Sequence, residues 1–298
     1  MTFNDDSQLS GGKVRRRGRT TGIAVGGGAV GVVVLALLSQ LLGVDLSGLG
    51  GLVGGGGGGT SPDQVTSEAV DCDTGAEANA EVDCRLEGAA ESLDRYWAGA
   101  AGSVGATYTT TGGVIVFEDQ TSTGCGNATA AVGPFYCPPD QTIYLDTDFF
   151  DELRTRFDTS GGSLAQMYIL AHEWGHHIQS LTGAMESADR SGTGPDSDSV
   201  RLELQADCYA GAWVGDASTV PDETGTPYLK PVTQEQYRDA LSAAAAVGDD
   251  RIQEQATGTV DPEGWTHGSA EQRQRWFQAG FDADATACDT FAVAGSAL

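Results

Sequence analysis

A chain of 298 residues with a formal net charge of −26 and an isoelectric point near 4.2 repels nucleic acid and anionic lipid headgroups, so neither is an expected partner. The length allows one or two domains, and 40% hydrophobic residues allow a buried core.

Taken in chain order, the first sixty residues do not read as globular material. Residues 1–22 form a basic segment with Lys13, Arg15, Arg16, Arg17 and Arg19, and residues 23–44 form an uncharged run of 22 residues, mostly Val, Leu, Ala and Gly. At 1.5 Å per residue such a helix is roughly 33 Å long, enough to cross a bilayer. Basic flanks stay in the cytoplasm, so the expectation is a single-pass plasma-membrane protein whose C-terminal part lies on the extracytoplasmic side. A cleaved signal peptide is the competing reading; it wants a shorter apolar core and a small-x-small site, and no Ala-x-Ala follows Val44. Residues 45–68, with Gly54 to Gly59, read as a flexible linker, which leaves 69–298 as the folded domain.

All six cysteines lie beyond the apolar run and none has Cys-x-x-Cys spacing. Two local pairs twelve positions apart suggest Cys72 with Cys84 and Cys125 with Cys137, leaving Cys208 with Cys288. Disulfides fit an exported chain.

Periodicity predicts a helix over 89–98, with Leu93 and Trp97 four apart, and short strands at Val114–Phe117 and Thr142–Leu145. A helix over 148–157 follows. The second strand, lying shortly before the next long helix, is read either as an edge able to pair with an extended peptide or as internal to the sheet. Ser163 and Gln166 read as a capping box opening a helix along Met167, Ala171, Trp174, Ile178 and Leu181, which Gly183 ends. A polar stretch over 186–199 reads as a loop, and helices are predicted within 199–211 and at 233–247 and 270–281.

The helix opened by Ser163 carries His172-Glu-x-x-His176, in a chain with four histidines. Two imidazoles four apart sit one turn above each other and can reach one metal ion, while Glu173, about 100° round the helix, can address a water on it. Gly175 inside this helix suggests a close approach by backbone or substrate. Hydrolytic zinc needs a third protein ligand and an open position. Glu203 and Asp207, again four apart, supply two carboxylates on one face; one could bind the metal while the other fixes the tautomer of a liganding histidine. His267, in a polar turn, is a candidate donor to an oxyanion, with Tyr209 as a weaker one. His177 points about 100° from its neighbour and suits a supporting or surface role.

The ordered segments Ala171-His-Glu-Trp-Gly-His-His-Ile-Gln179, Arg201-Leu-Glu-Leu-Gln-Ala-Asp-Cys208 and Thr266-His-Gly-Ser-Ala-Glu-Gln-Arg273 resemble the neutral zinc metallopeptidases of bacterial envelopes. Gly133-Pro-Phe-Tyr-Cys-Pro138 and Cys288-Asp-Thr-Phe291 fit the same pattern, and the likeness spans roughly residues 85–292. The resemblance implies an α+β, mainly helical, gluzincin-type (zincin-like) catalytic domain with a small sheet, here preceded by one transmembrane helix. It also implies Zn2+ held by His172, His176 and Glu203, with Glu173 as catalytic base, which leaves Asp207 as the carboxylate that orients a ligand. The expected reaction is metal-assisted hydrolysis of a peptide or protein substrate. A cell-wall peptide amidase and a non-enzymatic, zinc-stabilised envelope protein are the alternatives, because a metal site specifies chemistry better than substrate.

Overall fold

The computed structural model, which describes residues 2–18, 67–157 and 159–298, is α+β and mainly helical. Strands β1 (Val14–Arg17) and β2 (Ser67–Ala69) precede helices α1 (Gly75–Ala80) and α2 (Val82–Ala100). Strands β3 (Gly113–Phe117), β4 (Gln120–Thr123), β5 (Gly126–Thr129), β6 (Phe135–Cys137) and β7 (Thr142–Asp146) follow. The rest is helical: α3 (Asp148–Phe157), α4 (Ser163–Thr182), α5 (Ala184–Ser187), α6 (Asp198–Asp216), α7 (Gln234–Ala246), α8 (Asp249–Thr257) and α9 (Ala270–Asp282). Helix α4 packs against α2, α6 and α7, and α6 against α9. Its apolar stripe, Met167, Ala171, Trp174 and Ile178, is buried as the spacing predicts. The start of α4 differs from expectation. Gly162 is its N-cap, and Gln166 does not close a capping box: its side chain accepts from Arg85 and donates to the Gly161 carbonyl. Gly183, with φ 77°, ends the helix as predicted.

The five-stranded sheet runs β2-β1-β3-β7-β6, and β4 and β5 form a separate hairpin. Strand β7 lies inside the sheet, parallel to β3 and antiparallel to β6, so β6 and not Thr142–Leu145 is the edge strand on that side. Tyr136 of β6 bonds His177 of α4, which holds this edge alongside the histidine-bearing helix.

The basic N-terminal segment departs most from expectation. Residues 2–18 belong to the fold: β1 pairs antiparallel with β2 and parallel with β3. Phe3, Leu9 and Val14 are buried in the main core. Part of the charge that reads as a membrane flank is paired within the fold. Lys13 pairs with Asp94 at 2.8 Å, and Arg16 with Asp83 at 2.7 Å and Glu118 at 3.0 Å. The span expected at 23–44 and the linker at 45–68 fall almost wholly outside the described residues. Among the described residues no helix is long and apolar enough to cross a membrane. Because β1 and β2 hydrogen-bond to each other, a single crossing between them would put paired strands on opposite sides of the bilayer.

Two buried acids of α2 receive this segment. Glu87 accepts the backbone N–H groups of Lys13 and Val14 at 2.9 and 2.6 Å, and Glu91 those of Ser10 and Gly11 at 2.7 and 2.8 Å. Burial raises the Glu87 carboxyl from the ordinary 4.5 to about 7, against the lowering effect of the two N–H donors. Its folded form therefore holds a proton that the unfolded chain has released, so stability falls as pH rises from about 4.5 through 7. The loss amounts to about 3 kcal/mol when complete. Urea melts of wild type and Glu87→Gln should show the variant gaining on wild type by about that amount between pH 4.5 and 8. A pH-independent difference would remove this assignment.

Candidate metal centre

Helix α4 aims His172 and His176 at α6, and Gly175 between them lets the two backbones meet. A Cβ on Gly175 would lie 2.9 Å from the Cα of Ala206, so the close approach suspected from sequence is to backbone. The crossing brings Glu203 opposite the histidine pair. Its Oε2 is 3.2 Å from His172 Nε2 and its Oε1 3.5 Å from His176 Nε2. Candidate ligand atoms of the three residues lie within 4.8 Å of one another. Ligands on a tetrahedral zinc with bonds of about 2.0–2.1 Å are separated by about 3.3–3.4 Å, which the two histidine-to-carboxylate distances match.

The other ring nitrogens are already engaged. His172 Nδ1 lies 2.8 Å from Asp207 Oδ1, and His176 Nδ1 2.8 Å from Gln179 Oε1. Both partners are acceptors, so each ring carries a hydrogen on Nδ1 and leaves Nε2 to face the centre, the orientation a metal ligand needs, although Arg273 Nη2, a donor, also approaches His172 Nδ1 at 3.3 Å. Asp207 is fully buried. Besides His172 it accepts from Tyr168 Oη at 2.5 Å, Arg273 Nε at 2.8 Å and Arg273 Nη2 at 3.0 Å. Burial alone would raise its pKa, but Arg273 and His172 hold it below the ordinary value. Burial likewise opposes charge on His172, yet Asp207 and Glu203 push that ring up to about 10. Glu203 is held well below the ordinary range by the two histidines, against its own burial. The centre thus favours a cation between its rings and carboxylates.

Over residues 3–291 the chain matches the family described as "Putative neutral zinc metallopeptidase". The chain belongs to this neutral zinc metallopeptidase family. It is 50% identical over 225 residues to "Uncharacterized protein Rv2575" of Mycobacterium tuberculosis (strain H37Rv), covering 75% of each chain. It is 40% identical over 184 residues to "Uncharacterized protein YpfJ" of Escherichia coli (strain K12), covering 60% of this chain and 61% of that one. No solved structure matches.

In this member of the family the remaining sequence candidates separate clearly. Glu173 is buried on α4 beside His172. His267 is half-buried at the mouth of the loop before α9, near enough to Glu203 for that carboxylate to act on it. Its Nδ1 lies 3.2 Å from Asp249 Oδ1, which leaves Nε2 free of that partner. Asp249, first residue of α8, also clamps the loop by accepting the N–H groups of Thr266, His267 and Gly268 at 2.7, 2.6 and 3.1 Å. Burial opposes a charge on His267, but Asp249 and then Glu203 raise its pKa above the ordinary value.

His177 is neither a surface residue nor part of the metal set. It is fully buried, its Nε2 donates to the Thr109 carbonyl at 2.7 Å, and its Nδ1 accepts from Tyr136 Oη at 3.0 Å. Burial lowers its pKa, as that neutral bridging role requires. Tyr209 packs edge-on against Trp97, ring centroids 5.2 Å apart, on a different side of α6 from Glu203. Disulfides form in all three pairs expected from the cysteine spacing, and Cys208–Cys288 fastens α6 to the C-terminal segment. Arg273, Tyr168, Gln179 and Asp249 had no role read from the sequence. The first and third stood in motifs that resemble the family, whereas Asp249 is one acid among 42 acidic residues.

Proposed function

We propose that the chain is a zinc-dependent peptidase of an extracytoplasmic compartment, with His172, His176 and Glu203 as the ligands of the metal and Glu173 as general base. The observation that carries this reading is the convergence of two Nε2 atoms, each ring being oriented by an acceptor on Nδ1, on one carboxylate. Zinc in such a site supplies Lewis acidity, polarising a carbonyl and making water a better nucleophile. Glu173 takes the proton from the attacking water and delivers it to the leaving nitrogen. Asp207, itself held by Arg273 and Tyr168, keeps His172 in its liganding tautomer. His267, oriented by Asp249, donates through Nε2 to the oxyanion that forms on the scissile carbonyl. The outer edge of β6 is the natural rail for an extended peptide, since among the described residues it pairs with β7 alone. Three disulfides support the oxidising compartment.

The test is zinc stoichiometry and chelator-sensitive cleavage of a random-sequence fluorogenic peptide library, for wild type and Glu203→Ala. Wild type should hold about one zinc and cleave. Glu203→Ala should lose zinc affinity by more than the roughly 100-fold that removal of an outer partner costs. Stoichiometric zinc in Glu203→Ala would take the third ligand away from Glu203.

A further inference from the structure

We infer that Gln179 is a positioning residue for the metal centre: it closes a hydrogen-bonded relay that runs from the backbone beside the Cys208–Cys288 disulfide, through Gln205, to His176. The inference rests on the metal-site reading above. Its direction is set by two backbone carbonyls, which can only accept. The Cys288 carbonyl, tied to α6 by the disulfide, lies 2.9 Å from the side-chain nitrogen of Gln205. Gln205 therefore spends its amide N–H there and presents its oxygen to α4. That oxygen receives an N–H from Gln179 at 3.2 Å, and the same Gln179 nitrogen donates to the Leu202 carbonyl at 2.6 Å. Gln179 then has only its oxygen left to offer, and it meets His176 Nδ1 at 2.8 Å.

An amide oxygen cannot donate, so His176 must place its hydrogen on Nδ1 and keep the Nε2 lone pair toward Glu203. Turning either amide over would set nitrogen against N–H and oxygen against carbonyl oxygen. Both glutamines are buried, where each polar group left unmatched is costly. The two histidines are thus oriented by different chemistry: an ionised carboxylate clamped by Arg273 for His172, and a neutral amide pair referenced to the main chain for His176.

Zinc affinity of the full chain, by competition with a chromophoric chelator, tests this without relying on turnover; far-UV circular dichroism checks folding. Gln179→Ala should bind zinc about 10- to 100-fold more weakly than wild type. Gln179→Glu, whose neutral acid form accepts from His176 and donates to the Leu202 carbonyl as the amide does, should stay within about threefold of wild type. Gln205→Ala should weaken binding by a smaller factor, and the double alanine variant should be no weaker than Gln179→Ala, because the two act in series. Unchanged affinity in Gln179→Ala, equal losses for Ala and Glu at 179, or losses that multiply in the double variant would each overturn the relay. Should Gln179→Ala fail to fold, Gln205→Ala decides: reduced affinity supports the relay and wild-type affinity overturns it. A wild-type chain that holds no zinc would instead remove the metal-site reading, and the relay with it.

Discussion

Glu173→Gln is expected to keep its zinc and lose most of its turnover. The substitution preserves volume and leaves untouched the partners that orient the metal ligands, Asp207 on His172 and Gln179 on His176. It removes only the capacity to accept a proton. General-base catalysis contributes roughly 10²–10⁴-fold, or about 3–5 kcal/mol of barrier, so kcat should fall by that factor. Zinc content, measured on the same samples, separates this outcome from a damaged site. A Gln variant with wild-type turnover would take the base away from Glu173 and leave the oriented His267 as the remaining proton-handling group near the centre.

The centre was legible because its parts are local and periodic. Pairs of residues four apart on two helices, His172 with His176 and Glu203 with Asp207, announce themselves in any one-dimensional reading. What joins the helices does not. Arg273 reaches Asp207 across 66 positions, and its burial among carboxylates cannot be told from that of any other arginine in a helix. Gln179 and Gln205 carry no charge or metal-binding chemistry of their own; their meaning lies in two carbonyls that they face only once the chain is folded. The hairpin β4–β5 was missed because its Thr, Ser, Asn and Gly residues read as loop. The capping box at Ser163 was misread because Gln166 has a stronger use, a hydrogen bond to the buried guanidinium of Arg85. At Gln166 a long-range partner overrode a sound local rule.

The N-terminal strand yields the other large effect: a chain beginning at residue 67 should fail to fold as a cooperative unit. Sequence reasoning places the domain boundary at 69, because five basic residues next to an apolar run have a familiar meaning at membranes. Strand β1 instead lies between β2 and β3, so its loss leaves β2 without the neighbour that joins it to the sheet. The Phe3 ring fills the space over Gly88, where even a Cβ would come within 2.5 Å of it, and Val14 is fully buried. Emptying a phenylalanine site of this kind costs about 3–5 kcal/mol. Glu87 and Glu91 would also lose the four N–H groups that satisfy them, at about 0.5–1.5 kcal/mol net for each hydrogen bond. Together these losses rival the 5–15 kcal/mol that holds a typical domain folded. Thermal melts of the full chain and of the truncated one decide the matter. Loss of the cooperative transition, with partial recovery on adding a peptide of residues 1–18, is the expected result. A truncated chain that melts within a few degrees of the full one would show β1 to be dispensable. The strand pairing also predicts that tags at residues 1 and 298 fall on the same side of any membrane that meets the chain, because the segments flanking residues 19–66 share one sheet.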